Sequence, residues 1–295
     1  MIVWTEDFPL KERLLGYFRL NQARFYYHNY FAIKRVSPFR LKLMLRSGYQ
    51  DQIADLRNKH KGKRCFIIGN GPSLKKMDLS FLQNEHTIGC NGIYKNFDKW
   101  GWHTDYFIME DINQVEIRRR DFHMIKGPIK FFALYNAYCV KPDKNTLFFN
   151  SAPYFDYYFD EVFPQFSTDF SSIVYGGSTI IYQMLQLAYH LGFSKVYIIG
   201  VDFSWPEEFL KLKKKGERFY SLRITSDNIN IVKKCHENSN YYSVGDTIGI
   251  PWMEGHIASY KISKKYFDAD SRTIFNAGVH STLDVFPKVD YNSLF

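Results

Sequence analysis

Cysteine is scarce: the four in this 295-residue chain (Cys65, Cys90, Cys139, Cys235) stand far apart and form no C-x-x-C pair. That argues against a zinc site or a disulfide framework and for a reducing compartment. No apolar run approaches the ~20 residues that a membrane-spanning helix needs. The opening Met1-Ile2-Val3-Trp4-Thr5-Glu6-Asp7 lacks the basic stretch and apolar core of a secretion signal. Neither an internal repeat nor a low-complexity tract is present. The expected location is therefore cytoplasmic, at most at the inner face of a membrane.

Aromatic residues are abundant, with 27 Phe and 22 Tyr. They suit a bulky core and equally an aromatic-lined cleft. The net charge of +9 is unevenly spread: residues 1–64 carry 14 Lys/Arg against 5 Asp/Glu, and the remainder carries 25 of each. The basicity thus belongs to a leader, residues 1–60, in which Arg13, Arg19 and Arg24 are interleaved with Tyr17, Phe18, Phe25, Tyr26 and Tyr27. A helix of this composition can lie on an anionic membrane surface or pack its aromatic side on the body. No nucleic-acid-binding motif accompanies it.

From Cys65 onward apolar β-type runs alternate with helical patterns. Strands are expected at Cys65–Ile68, His86–Cys90, Asp105–Met109, Ile129–Ala133 and Lys195–Ile199. A helix over Ser178–Leu191 places Ile181, Leu185, Ala188 and Leu191 on one face, with Gly192 ending it. This alternation predicts an α/β fold with a doubly wound, mostly parallel Rossmann-type sheet. The core is expected over 61–203, a lid or small acceptor subdomain over 204–256, and a C-terminal return over 257–295.

In such a sheet ligands gather at the C-terminal strand ends. There the chain offers Gly69-Asn70-Gly71-Pro72-Ser73, Asn91, Asp111 and Gly200-Val201-Asp202. The glycines would allow φ > 0 and close ligand approach, and Ser73 would cap a helix whose N-terminus holds phosphate. An ordinary strand-to-helix turn would use the same residues.

Together these motifs resemble two families. Gly69-Asn70-Gly71-Pro72-Ser73-Leu74 followed by Asn91 is similar to the first half of the bacterial lipooligosaccharide sialyltransferases. The same turn, the Gly176-Gly177-Ser178-Thr179 helix start, Ile199-Gly200-Val201-Asp202 and the Phe286–Asp290 tail resemble the 6-hydroxymethylpterin diphosphokinases and related surface-glycan proteins. The resemblance implies that Gly69, Asn70, Gly71, Pro72 and Ser73 shape a nucleotide phosphate site. It further implies that Asn91 contacts donor sugar or phosphate, that Ser178 and Thr179 donate to an anionic group, and that Gly200 and Asp202 lie near ribose and base. The sialyltransferases use a lid histidine as base with tyrosines on the leaving phosphate. Here His236 and His256 are the candidate bases, and Tyr241 and Tyr242 the candidate phosphate donors.

No D-x-D stands at a strand end, so no metal or other cofactor is expected for a nucleotide-sugar transferase. A diphosphokinase would instead require Mg²⁺, with Asp111 and Asp202 as the candidate ligands. The leading expectation is an inverting glycosyltransferase of bacterial surface-glycan synthesis, its donor a CMP-activated sialic-acid-like sugar and its acceptor a glycan or glycolipid. The alternatives are the pterin-directed diphosphokinase and a non-catalytic glycan-binding module.

Overall fold

The computed structural model describes residues 47–152, 165–213, 220–238 and 240–295. Residues 1–46 of the expected leader lie outside these, as do residues 214–219 of the expected lid segment.

Five strands open the fold: β1 (Arg64–Ile68), β2 (Thr87–Cys90), β3 (Tyr106–Met109), β4 (Ile129–Ala133) and β5 (Thr146–Phe149). A short parallel pair follows, β6 (Ser151–Ala152) with β7 (Val174–Tyr175). Then come β8 (Lys195–Ile199), the antiparallel hairpin of β9 (Tyr220–Arg223) and β10 (Thr247–Ile250), and β11 (Thr273–Asn276). The main sheet runs β11-β8-β1-β2-β3-β4-β5, and its neighbours pair in parallel throughout. Cys65, Phe66, Ile67 and Ile68 are all fully buried, as a strand covered on both faces requires.

The longer helices among the described residues are α1 (Tyr49–Ala54), α2 (Ile112–Arg118), α3 (Ile180–Leu191) and α4 (Met253–Ala269). The α3 helix lies across β1, β2 and β3 and packs on α4. It ends on Gly192 at φ 89°, the left-handed cap expected there. The link from α1 to β1 is tied down by backbone bonds from Asn58, His60 and Gly62 to His190, Leu191 and Gly192, the end of α3.

The crossover from β1 to β2 holds no α-helix. It is two 3₁₀ turns, Pro72–Lys76 and Leu79–Leu82. The expected Ser73-capped helix is therefore corrected: extended Gly71 is the cap and Pro72 fills the first position, which puts Ser73 inside the turn. The segment 204–256 carries the β9–β10 hairpin and its own apolar cluster, which includes Phe209, Ile224, Val232, Tyr241, Tyr242 and Ile250. Among the described residues no helix is long and apolar enough to cross a membrane.

Candidate functional site

The strand order reverses at β1, whose successor β2 lies on one side and β8 on the other. The loops leaving β1 and β8 therefore part at this point, and a crevice opens between them. Gly69–Pro72 and Gly200–Asp202 line it together.

These two loops are bonded to each other. Gly69 N donates to Ile199 O and Gly71 N to Gly200 O, both at 2.8 Å. Ser73 N donates to Asp202 Oδ2 at 2.9 Å, and the Ser73 hydroxyl donates to Oδ1. A methyl group on Gly71 would stand 2.7 Å from Gly200 O and 2.8 Å from Asp202 Cγ, and one on Gly69 would collide with the same carbonyl. Neither Gly69 nor Gly71 has positive φ; Gly200 does, at 63°. The expected reason for the two glycines is corrected: they admit the neighbouring loop, and most of the turn's N–H groups are spent on it. Asn70 is occupied as well, its amide on Cys90 O at 3.2 Å and its carbonyl accepting from Glu237 N at 2.8 Å.

The cleft beyond this clamp has two lobes. The smaller, about 140 Å³, is lined by Gly69–Pro72, Gly200–Trp205 and Tyr260. The larger, about 340 Å³, is lined by Glu110, Asp111, Gly176–Ser178, Gln183, Tyr242 and Trp252. Asn91, Thr179, Trp205, His236, Tyr241 and His256 border both. Among the described residues no lysine or arginine lines either lobe.

Three non-glycine residues on these walls have left-handed backbone: Asn91 at φ 52°, Ser178 at 62° and Phe203 at 54°. Such conformations cost free energy and gather at functional sites. Asn91 Oδ1 is also buried without a hydrogen-bond partner among the described residues. Thr179 caps α3, its hydroxyl accepting from Ile181 N at 3.3 Å. Asp111 caps α2, accepting from Gln114 N at 2.9 Å, and burial raises its pKa.

The segment 204–256 delivers several aromatic groups to the cleft from one short run. His236 stacks on Tyr241 with ring centroids 4.0 Å apart and meets Tyr242 and Trp205 edge-on. Its Nδ1 is buried without a partner among the described residues, and burial, reinforced by Arg118, lowers its pKa to about 3. His256 Nε2 donates to Ser178 O at 2.9 Å; burial takes its pKa to about 4 against that bond. The Tyr241 hydroxyl accepts from Gly92 N at 3.3 Å, and burial lifts its pKa to about 12. The Tyr242 hydroxyl accepts from Gln114 Nε2 at 2.8 Å.

Several groups at the site carried no motif in the sequence. Arg118, 1% exposed, donates to Gln114 Oε1 at 2.6 Å and Tyr241 O at 2.9 Å, with its guanidinium 4.5 Å over the Tyr241 ring. Glu237 accepts from Asn96 Nδ2 at 2.8 Å while its backbone N–H donates to Asn70 O, which fastens this segment to the glycine turn. Glu110 receives the Tyr135 hydroxyl, and burial raises its pKa to about 7. The sequence shows Glu110 beside Asp111 but carries no sign of the partners that folding brings to it.

The family model "6-hydroxymethylpterin diphosphokinase MptE-like" matches residues 42–208. The chain belongs to this MptE-like family. The MptE-like match takes in the glycine turn, Asn91, Glu110, the α3 start and Gly200–Asp202, and it ends before the lid histidines. No curated protein sequence matches at a significant level. Among solved structures, the MAf glycosyltransferase from Magnetospirillum magneticum AMB-1 is 13% identical with TM-score 0.47, the match covering 84% of this chain and 39% of that one. The sialyltransferase CstII from Campylobacter jejuni, solved with the substrate analogue CMP-3FNeuAc, is 14% identical with TM-score 0.33, covering 78% of this chain and 86% of that one.

Proposed function

We propose that the cleft transfers a sugar, with inversion, from a nucleotide donor carrying a single phosphate, a CMP-activated sialic-acid-like sugar, to a glycan or glycolipid acceptor. The observation that carries this reading is the lining. Hydroxyl, amide and aromatic groups surround both lobes, and among the described residues no cation does. One phosphate diester can be held by such neutral donors, whereas the charge of a triphosphate calls for lysine, arginine or metal. Aromatic faces beside amides and carboxyls suit a ligand with apolar ring faces and many hydroxyls. On this reading the donor's nucleotide enters the smaller lobe beside the Ser73–Asp202 clamp, and the Tyr241 hydroxyl donates to the leaving phosphate. The acceptor hydroxyl needs a base, and the cleft offers His236, His256 and Glu110. The basic leader would hold the enzyme near lipid-linked acceptors.

A pterin-directed diphosphokinase is the second reading, favoured by the family match. It needs Mg²⁺. The candidate ligands fit poorly: both Asp202 oxygens are engaged by Ser73, and Asp111 is held in its helix cap. Among the described residues no three His, Cys, Asp or Glu side chains gather as a metal site.

Incubation with CMP-, UDP- and GDP-sugars and with ATP, each with and without EDTA, separates the readings. CMP-sugar turnover indifferent to EDTA supports the first. Exclusive, Mg²⁺-dependent use of ATP overturns it in favour of the second. Nucleotide or glycan binding without any turnover marks a binding module.

A further inference from the structure

Glu110 directly follows β3 and stands on the wall of the larger lobe. Tyr135, from the turn after β4, donates its hydroxyl to Glu110 Oε1, and Ser151 of β6 approaches the same oxygen at 3.5 Å. Gln183, from α3, adds a side-chain hydrogen bond. The titratable groups facing Glu110 are Asp111, on its own turn, and Tyr135; β6 and α3 present only the neutral Ser151 and Gln183. Among the described residues no cation pairs with it. A second observation points independently to a ligand: Gln183 is 2% exposed, lines the same lobe, and its Oε1 lacks a hydrogen-bond partner among the described residues.

We infer that Glu110 and Gln183 form the acceptor subsite, Glu110 taking the proton of the attacking hydroxyl while Gln183 Oε1 accepts from a neighbouring hydroxyl of the same polyol. The inference rests on the glycosyl-transfer reading above. As the acceptor oxygen bonds to the anomeric carbon, its proton moves to the Glu110 carboxylate. The bond from that carbon to the phosphate oxygen breaks, and its electron pair leaves on the nucleotide phosphate. Glu110 then releases the proton to water. Glu110 and Gln183 line the same lobe, and no cation among the described residues is paired with the carboxylate, so it is open to the proton of a hydroxyl bound there. The two lid imidazoles, at about 3 and 4, are much weaker bases, and His256 already spends one ring nitrogen on Ser178.

The test uses the full chain, CMP-N-acetylneuraminic acid as donor and methyl β-galactoside as acceptor, with Glu110→Gln and Glu110→Asp compared with wild type. Thermal unfolding first establishes that both variants fold. Glu110→Gln is expected to lower kcat by about 10²–10⁴-fold, leave the donor KM within about twofold and remove the acid limb of the pH profile. Infrared titration of the ligand-free wild type should show a protonated-carboxyl band that vanishes as pH rises through about 7 and is missing from the variant. A Glu110→Gln enzyme that keeps more than a tenth of kcat, or a band that titrates in the ordinary carboxylate range, overturns the inference. If wild type turns over no nucleotide sugar, the donor reading falls, and the infrared titration alone decides whether Glu110 is a poised acid–base group.

Discussion

Ser73 and Asp202 lie 129 residues apart in sequence, yet Asp202 accepts both the backbone N–H and the hydroxyl of Ser73. This clamp closes the sheet's switch point. Replacing Asp202 with Ala leaves two donors in a partly buried turn and is expected to cost about 1–3 kcal/mol. At roughly 2–4 °C per kcal/mol for a domain of this size, calorimetry should show a Tm lowered by several degrees. On the proposed function donor affinity should fall as well, because Asp202 also lines the smaller lobe.

Gly71→Ala tests the close approach of the two loops. The added methyl meets Gly200 O at 2.7 Å, backbone that cannot swing aside. The expected loss is about 1–3 kcal/mol, as for overpacking elsewhere. Gly249→Ala, with nothing within 4 Å of the added methyl, is the control and should stay within about 0.5 kcal/mol. Denaturant melts of both variants compare the two costs directly.

Buried histidines give the fold an acid sensitivity of definite sign. His60, His236 and His256 have pKa values lowered to about 4, 3 and 4, each chiefly by burial. Below about pH 6.5 the unfolded chain binds these protons and the folded chain does not. Their contribution is therefore complete above about 6.5 and erodes as pH falls towards 3. Urea titrations across that window should show stability rising with pH, and His236→Phe should flatten the slope.

Arg118→Met removes the cation that adds to burial in lowering the His236 pKa and that holds the Tyr241 backbone carbonyl. The His236 ring is expected to titrate at higher pH, readable by NMR. Amide exchange around Tyr241 and Tyr242 should quicken, since the variant loses the bond to Tyr241 O and the ring contact. Unchanged titration of His236 would contradict the coupling.

Much of this molecule was legible before folding. Unbroken apolar runs such as Cys65–Ile68 and Val196–Ile199, each followed by glycine, signal parallel strands whose ends gather a site. The hairpin of β9 and β10 was not legible, because no short turn joins its strands and so no turn signature marks it. The role of Gly71 was misread for a related reason: its neighbour is Gly200, contributed from far along the chain. Glu110 was hidden likewise, since its character comes from Tyr135, Ser151 and Gln183 on three other segments.

The pairing of β1 with β8 also bears on synthesis. The glycine turn leaves the ribosome ahead of the covering α3 helix and of its partners Gly200 and Asp202, which follow only after more than a hundred further residues. At about 5–20 residues per second, the nascent chain presents one raw edge of β1 for many seconds. Translation arrest before residue 195 would thus leave that edge without its native neighbour and open to pairing with other chains. The crevice at the switch point and this exposed interval of synthesis share one origin.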